Sequence, residues 1–89
     1  MRAVRVSSQF KRDLRNASRQ GRNIDLLQDV IAQLQSGEAL EQRFRDHLLT
    51  GNWKNHRECH IGPNWLLIYY VTDNELRLAR LGSHSELFR

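Results

Sequence analysis

Histidine is the side chain whose ordinary titration lies closest to neutrality, so it takes and gives protons there without tuning. This chain carries four, His47, His56, His60 and His84. His56 and His60 have the i, i+4 spacing that suits zinc on a helix. The residues around them alternate with period two, and on a strand the pair would lie about 13 Å apart at ~3.3 Å per residue. That is too far to share one ion, so no metal or cofactor is expected. His47, His60 and His84 instead fall at the edges of regular elements, where a rigid scaffold gathers reactive groups. RNA cleavage without a metal needs two such groups. A base removes a 2′-OH proton, that oxygen attacks the adjacent phosphate, and an acid protonates the departing 5′-oxygen. A cation must also steady the charge that builds on the phosphorane.

Each residue has a plainer reading as well. Histidines in polar loops are commonly just solvated. Asp46-His47 fits a local polar contact, and His60 fits an edge-strand residue that discourages aggregation. His84 followed by Glu86 fits a helix start. Phe88 fits either a core plug under a C-terminal turn or a platform for a base.

The elements that must position these groups read as follows. Ala3–Val6 is a short strand with β-branched Val4 and Val6. Ser7 or Ser8 can cap a helix whose apolar stripe is Phe10, Leu14 and Ala17, stopped at Gly21. Asn23 caps a second helix with Leu27, Ile31 and Leu34 in phase, widened by Ile24 and Val30 and ended by Gly37. Two such helices joined by a few residues read as an antiparallel hairpin.

From Trp53 the period drops to two, and Trp53–Ile61 reads as a strand. Lys54, His56, Glu58 and His60 would share one face, and Trp53, Asn55, Arg57, Cys59 and Ile61 the other. Arg57 beside Cys59 requires either a bulge or a partly open face. Gly62-Pro63-Asn64 is a turn, Trp65–Val71 a central strand, Thr72-Asp73-Asn74 a second turn and Leu76–Leu81 the last strand. Gly82 breaks it, and a short helical turn ends at Phe88. The order β-αα-βββ predicts one α+β domain over residues 1–89, with the N-terminal strand and helix pair packed on an antiparallel sheet.

Composition narrows the class. At 89 residues, 39% hydrophobic and 27% charged, the chain suits one globular domain. Its longest apolar run, Trp65–Val71, falls short of the ~18 residues that span a bilayer. Nor does Met1–Phe10 read as a signal peptide. A lone Cys59 makes no internal disulfide, which points to the cytoplasm. Phosphate-binding glycine motifs are absent from the sequence. The net charge of +4 is uneven: residues 1–22 hold seven Lys and Arg against Asp13. A basic surface of this kind invites nucleic acid or an acidic partner.

Three segments carry a resemblance. They are Asp46-His47-Leu48-Leu49-Thr50-Gly51-Asn52-Trp53, then Arg57-Glu58-Cys59-His60-Ile61-Gly62-Pro63-Asn64-Trp65-Leu66-Leu67-Ile68-Tyr69, and a stretch from Thr72-Asp73 through Leu76 and Arg80 to Gly82-Ser83-His84-Ser85-Glu86-Leu87-Phe88. Together they resemble the YafQ-like branch of the RelE/ParE superfamily, toxins of bacterial type II toxin–antitoxin pairs. The resemblance implies a RelE-like microbial RNase fold and a ribosome-dependent, metal-independent endoribonuclease that cuts translated mRNA. It also implies a cognate antitoxin as partner, contact with operator DNA only through that complex, and no membrane.

The family's motif histidines fall on His47, His60 and His84, and its terminal aromatic on Phe88. On that basis His84 is the expected general acid. His47 or His60 is the base, the other steadying phosphate when protonated, and Phe88 positions a base. Arg57, Arg80 and Lys54 are the expected phosphate contacts. Lys11, Arg12, Arg15 and Arg19, remote in sequence from the histidines, are expected to dock on ribosomal RNA or an acidic antitoxin.

Two departures stand out. Asn64 replaces the aspartate usual in the turn, and asparagine hydrogen-bonds but holds no proton. Leu48 stands where proline is frequent. Alternative readings are a ParE-like gyrase-binding toxin, which the three histidine motifs argue against, and a weak enzyme acting mainly as antitoxin partner and operator co-repressor.

Overall fold

Ser7 turns the chain from strand into helix and ties that corner to the sheet. The computed structural model describes residues 1–88, beginning with β1 (Ala3–Val6). Ser7 Oγ accepts the Phe10 N–H at 2.9 Å and donates to the Ala79 carbonyl at 2.7 Å. One hydroxyl thereby caps α1 (Ser8–Arg19) and fixes its entry angle. Asn23 caps α2 (Ile24–Ser36) by accepting the Leu26 N–H at 3.1 Å. Gly37, at φ 86°, ends α2 in the left-handed conformation that glycine adopts without penalty. Two 3-10 turns, Gln42–Phe44 and Gly51–Trp53, flank β2 (His47–Leu48). Then follow β3 (Arg57–Gly62), β4 (Trp65–Val71), β5 (Glu75–Gly82) and α3 (His84–Leu87).

The strand order is β1-β5-β4-β3-β2. The expected antiparallel sheet is β2 to β5, and β1 joins its edge by running parallel to β5, with Val4 opposite Leu76 and Val6 opposite Leu78. A parallel neighbour needs a long crossover, and the helices supply one. Phe10 and Ala17 from α1 and Leu27, Val30 and Leu34 from α2 form one core with Leu67, Tyr69, Leu76 and Leu78. Leu66 and Ile68 alternate with Leu67 and Tyr69, so they face the other way. There they meet Leu87 of α3, with Leu49, Trp53 and Ala79 packed around them. Leu66, Leu67 and Ile68 are all 0% exposed. At about 1.5–3 kcal/mol each for full burial, β4 anchors both layers.

The second strand is shorter than its alternation suggests. Asn55 takes φ 70° and the His56 N–H donates to the Trp53 carbonyl at 2.9 Å, a tight turn that period-two residues do not reveal. Lys54 and His56 therefore fall outside the strand. The His56 ring still lies on the side of Glu58 and Ile68, 5.3 Å from Trp53 and 5.6 Å from Tyr70. Arg57 keeps its place beside Cys59, opposite Tyr69, on a partly open end of that face; the register shift falls between His60 and Gly62. His47, read as a loop residue, is in β2, paired with Glu58. A two-residue strand carries too little pattern to be legible.

Candidate active site

Pairing puts the functional side chains on the sheet face away from α1 and α2. His47 lies opposite Glu58, Glu58 opposite Ile68, and His60 opposite Leu66. Glu58 is 2% exposed. Its Oε1 lies 3.2 Å from His60 Nε2 and 3.7 Å from His47 Nε2. The buried carboxylate thus joins two histidines from adjacent strands. Sequence alternation puts Glu58 on the face of His60, but an acid on a polar strand reads as solvated, so only the pairing with β2 reveals its role.

The tautomer of His47 follows from its other contact. A carbonyl only accepts, so His47 Nδ1 donates to the Arg45 carbonyl at 2.7 Å. In the neutral ring Nε2 is then the proton acceptor. The Asp46 that precedes it accepts from the Tyr69 hydroxyl and from Arg57 Nε at 3.2 Å. Burial, then the Asp46 contact, pushes the Tyr69 phenol up. The hydrogen bond to Asp46 raises Arg57 in turn. This partly buried cluster pins the backbone that presents His47.

His84 is the first residue of α3, and its N–H donates to Asn64 Oδ1 at 3.1 Å. Asn64 holds φ 50° after Pro63, a turn conformation asparagine tolerates well. Its oxygen is thus committed to α3, leaving the amide nitrogen as the remaining polar group. A capping box secures α3: Ser83 Oγ accepts the Glu86 N–H at 3.3 Å and Glu86 Oε1 accepts the Ser83 N–H at 2.8 Å. Gly82 lets α3 fold back closely, since a Cβ there would meet Glu86 Oε1 at 3.2 Å. Leu87 takes the core-plug role, 7% exposed, and leaves Phe88 38% exposed beside the site.

The rings form a row: His47 to His60 6.5 Å, His60 to His84 6.1 Å, and His84 to Phe88 5.5 Å between centroids. His47, His60, His84, Phe88 and Asn64 therefore converge. The expected phosphate contacts do not join them in the same way. Arg57 sits on the opposite sheet face, paired to Asp46. Arg80 grips Asp13 of α1 through Nε at 2.8 Å and Nη2 at 3.2 Å, a hydrogen bond that raises its pKa. Both guanidiniums hold secondary-structure elements together. Lys54 lies exposed after the 51–53 turn, and Lys11, Arg12, Arg15 and Arg19 are exposed on α1. Among the described residues, no three His, Cys, Asp or Glu are grouped so as to hold a metal ion, and no helix is long and apolar enough to cross a membrane.

The mixed sheet carries two helices on one face and a histidine row on the other, and the sequence matches a model of toxins from bacterial type II toxin–antitoxin systems. Residues 2–89 match the family described as the bacterial toxin of type II toxin–antitoxin system, YafQ, and the chain belongs to that family. The mRNA interferase toxin YafQ of Escherichia coli strain K12 is 34% identical over 88 residues, spanning 98% of this chain and 96% of that protein. The toxin in the crystal structure of the E. coli DinJ–YafQ toxin–antitoxin complex superposes with TM-score 0.92 at 34% identity, covering 99% of this chain and 98% of that one. A copper-bound mutant toxin from Helicobacter pylori gives TM-score 0.95 at 44% identity, covering 99% of this chain and 100% of that one.

Proposed function

We propose that this toxin is an mRNA interferase: an endoribonuclease that cleaves translated mRNA in the ribosomal decoding site by histidine acid–base chemistry. The observation that carries the reading is the buried Glu58 carboxylate within reach of His47 and His60, with His84 next in the row. The relative named mRNA interferase toxin YafQ supports the same activity.

His47 is the base. Its Nδ1–H is engaged by the Arg45 carbonyl, so Nε2 takes the 2′-OH proton, and the imidazolium that forms faces Glu58. The freed oxygen attacks the adjacent phosphorus. His60, on the same carboxylate, steadies the phosphorane as an imidazolium. His84 donates its proton to the departing 5′-oxygen, leaving a 2′,3′-cyclic phosphate and a 5′-hydroxyl. Phe88 offers a stacking surface beside His84. Asn64, holding the His84 N–H, orients the acid rather than exchanging protons. These side chains supply acid, base and cation, so no metal is required for the step. Activity should therefore survive chelation once ribosomes are intact.

The DinJ–YafQ complex supports a protein antitoxin as the partner that silences this chain, with operator binding through that complex. The exposed Lys11, Arg12, Arg15 and Arg19 dock on ribosomal RNA, and the cytoplasm is where this happens. The test is cleavage of a defined mRNA on programmed ribosomes by wild type and H84A. Wild type should cut and H84A should not, with both folded by circular dichroism. Undiminished cutting by H84A would overturn the mechanism.

A further inference from the structure

Beside the histidine row, where β2 covers β3 only at Arg57 and Glu58, the outer edge of β3 opens onto a groove of about 430 Å³. That volume is in the about 300–1,000 Å³ range of small-ligand sites. Its walls include Arg43, Arg45, His60 and Asn64 over an apolar floor of Phe44 and Ile61. Among the described residues no carboxylate lines it.

We infer that this groove holds the phosphodiester backbone of the mRNA next to the scissile nucleotide, with Arg43 and Arg45 as its phosphate contacts. The inference rests on the cleavage reading above. Three features favour RNA here. His60 belongs to both the groove and the row, so a strand positioned for cleavage runs on into the groove. Arg45 holds φ 49° immediately before the Asp46-His47 pair, and its carbonyl fixes the His47 tautomer. The same residue therefore couples groove and base. Arg43 lies 4.7 Å over the Phe44 ring, which holds a planar cation ready for phosphate. Its pairing with Glu41, 3.4 Å away with both side chains over 60% exposed, is a surface contact worth about 0–1 kcal/mol and yields readily. These arginines complement the site, since Arg57 and Arg80 are engaged elsewhere.

The test uses the full chain in single-turnover cleavage on programmed ribosomes. Wild type is compared with R43Q/R45Q on mRNAs carrying one neutral methylphosphonate at successive positions around the cut. The double variant should raise the half-saturating toxin concentration about tenfold, as expected for two charge-assisted contacts partly offset by solvent, and change the saturated rate less than threefold. One methylphosphonate position should weaken wild type similarly and weaken R43Q/R45Q no further. Additive effects at every position, or cleavage by R43Q/R45Q indistinguishable from wild type, would overturn the groove assignment alone. Unchanged cleavage with lost co-purification of the neighbouring gene's product would overturn it in favour of an antitoxin surface. Absence of cleavage by wild type would overturn the parent reading with it.

Discussion

Replacing Glu58 by glutamine keeps the shape of a side chain that is 3% exposed and removes only its charge. An imidazolium 3.2 Å from that carboxylate at His60, or 3.7 Å at His47, gains about 5 or 4.5 kcal/mol of gross attraction at an effective dielectric of 20. Solvent reduces this, because the His60 side chain is 24% exposed and that of His47 52%. A net of about 1.5–3 kcal/mol, typical of hydrogen bonds to charged groups, is the part that disappears. If His47 becomes positive as it takes the 2′-OH proton, that loss falls on the transition state. E58Q should then cut the saturated cleavage rate about 10- to 150-fold while the half-saturating concentration stays within threefold. Single-turnover kinetics on programmed ribosomes measures both. In an H60A background E58Q should retain part of its effect through His47, and in H47A/H60A it should have none. A saturated rate within threefold of wild type, or a loss confined to apparent affinity, would refute the reasoning.

Other expectations follow from the same contacts. Y69F removes the hydroxyl that donates to Asp46 and leaves Arg57 in place; a loss of about 1–3 kcal/mol should lower Tm by about 4–24 °C, read by calorimetry. Cys59 is 0% exposed and burial, reinforced by Asp46 and Glu58, pushes its thiol up. It should not react with a disulfide reagent until the protein unfolds. The folded state keeps that proton where an unfolded thiol loses it, above about pH 8.5. Stability is therefore full below that pH and falls above it by about 1.4 kcal/mol per unit, and denaturant titrations of C59A should lack that slope up to about pH 10. Neutralising Arg12, Arg15 and Arg19 should weaken ribosome binding and its salt dependence, with the saturated cleavage rate retained; equal affinity would remove their docking role.

The elements set by local signals were legible in the residues. Ser7, Asn23 and Gly37 act as the caps and stop that their side chains imply, and the apolar run Trp65–Val71 is the central strand. What depended on distant partners was not. The polar alternation after Trp53 masked a left-handed Asn55, and nothing local tells β1 that its neighbour runs parallel. Three histidines could be named because loops and element ends gather such groups. Glu58 stayed hidden because a lone acid acquires meaning only when β2 brings His47 across from it. The ion pairs of Arg57 and Arg80 are illegible for the same reason: their carboxylate partners, Asp46 and Asp13, lie 11 and 67 positions away.

Product-end chemistry separates this mechanism from its rivals most directly. Purified toxin should cut a programmed mRNA in the presence of excess chelator, with magnesium-stabilised ribosomes cross-linked beforehand, and leave a 2′,3′-cyclic phosphate and a 5′-hydroxyl. Fragments bearing a 5′-phosphate and a free 3′-hydroxyl would contradict it, because water activated elsewhere, not the 2′-oxygen activated by His47, would then be the nucleophile.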